Sequence, residues 1–181
     1  GIYNIDTDTW TSEGVPINSG NITTDGTYLY FANKTGLFRY DIEVGTTVQL
    51  PDPIYSFEAW GGLEYHDGYL YGHVGNGRTD FQRYGIEANQ WQELANIPDG
   101  AVLGSGLDVS GGVYFAYGNY GESNLYAYNI EDDSWSTLSI PFFSVNDGGL
   151  VYHGRGEKPG IYLIEGEAGP GFARYETTGQ F

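Results

Sequence analysis

The side chains that could do chemistry are few, and their spacing limits what they could do. The chain has three histidines. His66 and His153 occupy the same station in "GGLEYHDG" and "GGLVYHGR", and His73 has no partner by spacing. Two imidazoles can begin a metal site, but no third ligand follows at metal spacing, so the pair reads as a repeated structural position. The acidic turns "DTDT" (6–9) and "EDDS" (131–134) lack the spaced carboxylates of a calcium loop and read as ordinary polar turns. There is no cysteine, no Gly-x-Ser-x-Gly elbow and no phosphate-cradling glycine loop. Paired carboxylates abound, but in so acidic a chain they do not single out a hydrolase. The expectation is a non-enzyme with no catalytic residue, no metal and no cofactor. Two Asn-x-Thr triplets, Asn21-Ile22-Thr23 and Asn33-Lys34-Thr35, make Asn21 and Asn33 glycosylation candidates.

Composition narrows the partners. Of 181 residues, 24 are acidic and seven basic, for a net charge of −17. Phosphate backbones and anionic lipid surfaces are bound through Lys and Arg, so the charge argues against nucleic acid and anionic membrane surfaces as partners. A solvated acidic surface suits a salt-exposed or secreted protein and favours basic partners. No apolar run approaches the roughly 20 residues that span a bilayer, so no membrane insertion is expected. Hydrophobic residues make up 40% and aromatics 17%, enough for a packed core. With no methionine and glycine at position 1, the chain is expected to be part of a longer translation product.

The elements that must position these residues come from a repeat. "IYNIDTDTW" (2–10), "RYDIEVGTTV" (39–48), "RYGIEANQW" (83–91), "AYNIEDDSW" (127–135) and "RYETTGQF" (174–181) are variants of one phrase. Its tyrosines, Tyr3, Tyr40, Tyr84, Tyr128 and Tyr175, are 37, 44, 44 and 47 residues apart. Trp10, Trp91 and Trp135 each follow their tyrosine by seven residues, and Thr47 and Phe181 stand near that place in the other two copies. Between the phrases run a Gly-led apolar segment, a Gly-containing turn and an aromatic strand, as in "GGLEYHDGYLYGHVG" (61–75) and "GLDVSGGVYFAYG" (106–118). Alternation of period two indicates strands, and no capped helical period is present.

Four short antiparallel strands every 40–50 residues is the arithmetic of a β-propeller blade. The glycine pairs, the tyrosine of the third strand and the spaced tryptophan resemble a kelch-type β-propeller over nearly the whole chain. The expected fold is all-β: one propeller region over 1–181, with an N-terminal hairpin at 2–13 and blades at about 14–50, 51–94, 95–138 and 139–181. The first blade departs from the pattern, lacking the glycine pair and carrying Thr47 for tryptophan. Trp10, Trp91, Trp135, Tyr40, Tyr84, Tyr128 and Tyr175 are expected between blades, where each blade needs a large flat side chain at one station. The resemblance also implies a protein-binding role. Some kelch propellers are copper oxidases built on tyrosine and cysteine, chemistry that a chain without cysteine does not reach.

Loops on rigid scaffolds commonly carry binding. The loops from fourth strand to next first strand share a face with those joining second and third strands. That face includes "PDPIYSFEAW" (51–60), "GNGRTD" (75–80), "GNYGES" (118–123), "SIPFFSVND" (139–147) and "GEAGPG" (166–171). Arg78, Asp80, Tyr120 and Glu122 are candidate contacts. Tyr55, Phe57, Trp60, Phe142 and Phe143 form either a stacking surface or plugs between blades. The function expected is a non-catalytic, extracellular module that binds a protein or glycan partner. One alternative is a structural subunit that assembles with copies of itself into a ring or filament, because hairpin 2–13 leaves an unpaired edge. Another is a piece of a secreted carbohydrate-active enzyme.

Overall fold

The computed structural model describes residues 2–12, 20–59, 61–99, 106–109, 113–116, 122–144, 149–153, 157–164 and 170–176. These residues form strands, turns and loops, with no helix among them. β1 (Ile2–Asn4) and β2 (Thr9–Thr11) make a hairpin. The first four-stranded sheet is β3 (Asn21–Thr24), β4 (Tyr28–Asn33), β5 (Gly36–Asp41) and β6 (Thr46–Leu50). The second is β7 (Gly62–His66), β8 (Tyr69–His73), β9 (Phe81–Gly85) and β10 (Gln90–Leu94). The third is β11 (Gly106–Val109), β12 (Val113–Ala116), β13 (Glu122–Asn129) and β14 (Ser134–Ser144). A three-stranded sheet of β15 (Gly149–His153), β16 (Gly160–Ile164) and β17 (Phe172–Tyr175) follows. Every sheet is an antiparallel meander in chain order. Leading strands β3, β7, β11 and β15 lie against one another in succession, so the sheets fan outward from them as propeller blades do.

Period-two alternation decides which side chains meet. In β4, Tyr30 and Ala32 turn one way, joined by Leu37 of β5. They pack on Leu63, Leu70, Tyr84 and Trp91 of the second sheet. Tyr71, Phe81 and Leu94 on the other face of the second sheet meet Tyr126 and Tyr128 of the third. Leu125 and Ala127, one residue out of phase with those tyrosines, meet Ile161 and Leu163. Each inner blade is therefore apolar on both faces, and each interface holds a cluster of buried apolar side chains. Phe57, from the loop after β6, plugs the first layer. A Cβ on Gly72 would stand 2.5 Å from its ring, so glycine is required there.

The repeated phrase is a hairpin held by its own polar groups. The Tyr84 hydroxyl donates to Asn89 Oδ1 at 2.6 Å, that of Tyr128 to Asp133 at 2.6 Å and that of Tyr3 to Asp8 at 2.5 Å. These acceptors have φ of 52°, 49° and 53°, the left-handed conformation that Asn and Asp tolerate best after glycine. In the first blade Gly45, φ 75°, takes this station. The turn brings each tryptophan opposite its tyrosine, with ring centroids 5.4 Å apart for Tyr84–Trp91 and 5.0 Å for Tyr128–Trp135. Tyr40 faces Thr47 in the same register. Each indole then reaches the preceding blade: Trp91 Nε1 donates to Pro51 O at 2.8 Å and Trp135 Nε1 to Ala95 O at 2.8 Å. Asp133 Oδ1 also accepts from Ala95 N at 2.8 Å, so both backbone groups of Ala95 are held by the next blade.

Three expectations are corrected. Trp10 does not lie between blades: it is 71% exposed and packs on Tyr3 within its own hairpin, with no sheet among the described residues standing against that face. The loop expected at 139–147 is strand as far as Ser144: Asn124 of β13 faces Ser139 and Glu122 faces Ser144, with a break in register between them. Pro141 is tolerated because β14 is an edge strand. The third blade therefore runs past the boundary expected at 138. Phe181 lies outside the described residues.

Trp91→Ala is expected to cost about 3–5 kcal/mol, the loss typical of a buried indole. Trp91→Phe keeps most of the ring and removes the bond to Pro51, costing about 1 kcal/mol. Trp10→Ala should stay within about 0.5 kcal/mol, as exposed positions do. Urea melts of dilute protein check the series. A Trp10→Ala loss as large as that of Trp91→Ala would contradict this account of the hairpins.

Candidate binding face

The loop joining β8 to β9 is braced on both flanks. From the loop after β6, Glu58 N donates to Val74 O at 2.8 Å, and Asn76 N donates back to Ala59 O at 3.0 Å. From the loop after β10, Ile97 N donates to Thr79 O at 2.9 Å. A third brace is buried: Gln82 Nε2 donates to Tyr55 O at 2.7 Å, and Gln82 Oε1 accepts from Tyr55 N at 3.1 Å. A side-chain amide here replaces a strand neighbour and satisfies both backbone groups of Tyr55.

These braces set out a polar and aromatic cluster. The Tyr55 hydroxyl donates to Glu93 Oε1 at 2.6 Å, and this bond pushes its pKa above the ordinary value. The exposed Arg78 donates through Nε to Asp80 Oδ2 at 2.6 Å, and its guanidinium lies 5.5 Å from the centre of the Tyr55 ring. Beside it, between the first two blades, is a depression of about 310 Å³ lined by Asn21, Asn33, Lys34, Phe57 and Glu58. An ion pair of 2.5 Å between Lys34 and Glu58 ties the blades together at its mouth. Such a surface can bind through charge, hydrogen bonds and ring stacking.

The expected residues do not all converge. Tyr55, Arg78 and Asp80 come together, with Glu93 as a member that sequence reading missed because it lies in a strand rather than a loop. Asn21 and Asn33 line one depression but differ in setting. Asn33 ends β4 at a tight turn, where its Oδ1 accepts from Thr35 N at 2.8 Å and Thr35 Oγ1 at 2.7 Å. Asn21 opens β3, and Thr23 of its triplet is buried, accepting from Tyr65 N at 3.1 Å. Glu122 is corrected from loop to strand, as the first residue of β13. Trp60 and Tyr120 lie outside the described residues. Phe57 is a plug, not a stacking surface. His66 and His153 close β7 and β15, and among the described residues no three His, Asp or Glu side chains converge as a metal set.

No protein-family model matches the chain, and no curated protein sequence matches it. Its fold does have likenesses among solved structures. The structure of YjhT superposes with a TM-score of 0.69 at 13% identity, over 94% of this chain and 68% of that one. Kuenenia stuttgartiensis hydrazine synthase gives 0.56 at 14% identity over 87% of this chain, which spans about half (53%) of that chain. The crystal structure of the computationally designed Ika4 protein gives 0.59 at 10% identity, over 92% of this chain and 95% of that one. Identities this low speak to fold alone. The fold is all-β and β-propeller-like.

His73, fully buried beside the braced loop, gives this region a pH dependence. Burial pushes its pKa from 6.5 to about 3. Between those values the unfolded chain takes up a proton that the folded chain refuses. Stability is therefore intact above pH 6.5 and falls as pH drops toward 3, by up to about 1.4 kcal/mol per unit. His73→Gln should make the acid-side loss in melting temperature shallower. Parallel pH profiles for the two proteins would contradict this.

Proposed function

We propose that the chain is a kelch-type propeller module, extracellular and non-catalytic, that binds a protein or glycan partner through the face around Tyr55, Arg78, Asp80 and Glu93. The observation that carries this reading is the double bracing of the loop from Val74 to Asp80 by backbone hydrogen bonds. A loop fixed before it meets a partner avoids the ordering cost that weakens flexible loops. The net charge of −17 favours partners with basic groups near the contact. Asn33, on its turn, is the better glycan acceptor of the two triplets.

Glycan arrays and displayed peptide libraries screened with the intact chain provide ligands for the test. Arg78→Ala and Tyr55→Ala should each weaken binding of the resulting hits by about tenfold or more, a loss of about 1.4 kcal/mol, with unchanged melting. Hits that bind both variants as they bind the wild type would place recognition elsewhere.

A second reading has its own observation. Hairpin β1–β2 pairs only with itself among the described residues and keeps Tyr3, Ile5 and Trp10 exposed. Two strands alone are marginal in water. A self-assembling structural subunit, joined by complementation of these terminal strands, would cover them.

A further inference from the structure

Phe81 and Phe172 hold equivalent stations. Each opens the third strand of its sheet, three residues before the marker Tyr84 or Tyr175. Phe81 is completely buried, with its ring meeting Tyr128 and Trp135 of the following blade edge-on at 5.0 Å each. Leu37, at this station in the first blade, is buried with Tyr84 and Trp91 of the second. Leu125, at this station in the third, is buried in the cluster that Tyr175 joins. At every junction, then, this residue is covered by the marker tyrosine of the next blade, with its tryptophan where one is present. Phe172 has no such cover. It is 66% exposed, on a face where Val151 and Ile164 are exposed too and Tyr162 packs beside it at 5.9 Å.

The missing piece stands at the other end of the array. Tyr3 and Trp10 pack as a tilted pair at 5.1 Å and 42°, nearly the 5.0 Å and 48° of Tyr128 and Trp135. They are exposed and cover nothing. The chain thus carries a seat without a cover and a cover without a seat, each built like the partners that meet at its internal junctions. We propose that two copies join head to tail, with the Tyr3–Trp10 pair of one copy seated on Phe172 of the other. The contact is heterologous, so repeating it gives a ring if the rotation closes and an open filament if it does not. The proposal rests on the self-assembly reading above and puts packing of blade faces, not strand exchange, at the contact. Each copy carries −17, so added salt should strengthen association by screening the repulsion.

Sedimentation of the 181-residue chain over a wide concentration range tests this. The expected result is a mass that rises above 19.9 kDa with concentration and rises further with salt. Trp10→Ala and Phe172→Asp should each associate at least about tenfold more weakly without lowering the melting temperature of dilute protein. Mixing the two variants should restore a single junction and so give a one-to-one pair that grows no further, because each supplies the half the other lacks. A chain that stays at 19.9 kDa throughout overturns both the proposal and the self-assembly reading. Wild-type association by both variants, together with its loss on deleting residues 2–11, would reject this contact and leave strand complementation standing.

Discussion

The structure depends on the hydrogen bond from a tryptophan indole to the backbone of the preceding blade. Blade faces are apolar, and apolar layers slide without directional bonds. Trp91 to Pro51 and Trp135 to Ala95 supply direction, each spanning 40 residues of sequence. The indole can reach that carbonyl only if the hairpin turns tightly, and the turn depends on a left-handed Asn or Asp bonded to the tyrosine hydroxyl. Tyrosine, turn residue and tryptophan act as one unit that orders its own hairpin and fastens it to a neighbour. The 44-residue step from Tyr84 to Tyr128 follows, since the second and third blades present the same fastener at the same height.

Much of the fold was legible because its determinants are local and periodic. The alternation of Tyr28 to Asn33 and the seven-residue step from tyrosine to tryptophan indicate strands and blades without any knowledge of tertiary contacts. The left-handed station was legible too: Asp8, Gly45, Asn89 and Asp133 each stand five residues after their tyrosine, all residues that tolerate this conformation. Other features were hidden. β14 continues past Leu138 to Ser144, which faces Glu122 of β13 across a break in register, a pairing that depends on another segment. The apparent loop "SIPFFS" holds isoleucine and two phenylalanines, residues that favour strands, and its proline misleads only until the strand is known to be an edge.

The face proposed for binding was half legible for a related reason. Glycine-rich loops show in the sequence, and Arg78 and Asp80 belong to one. Glu93 and Gln82 do not, because a polar residue in a strand usually faces water. Which of them points outward to a phenol and which points inward to a backbone depends on blade packing. Phe57 shows the converse: it sits in a loop beside Tyr55, yet Gly72 makes room for it in the core.

The Gln82 brace separates the shape of a loop from its composition. The amide bonds to the N–H and C=O of residue 55, which every amino acid except proline presents alike. The path of the chain at that point is therefore indifferent to the side chain it carries. Position 55 can be rewritten generation after generation, as the tips of antibody loops are, while the scaffold beneath it stays unchanged. A lineage of such chains could change what this loop presents to solvent without first solving the folding problem again.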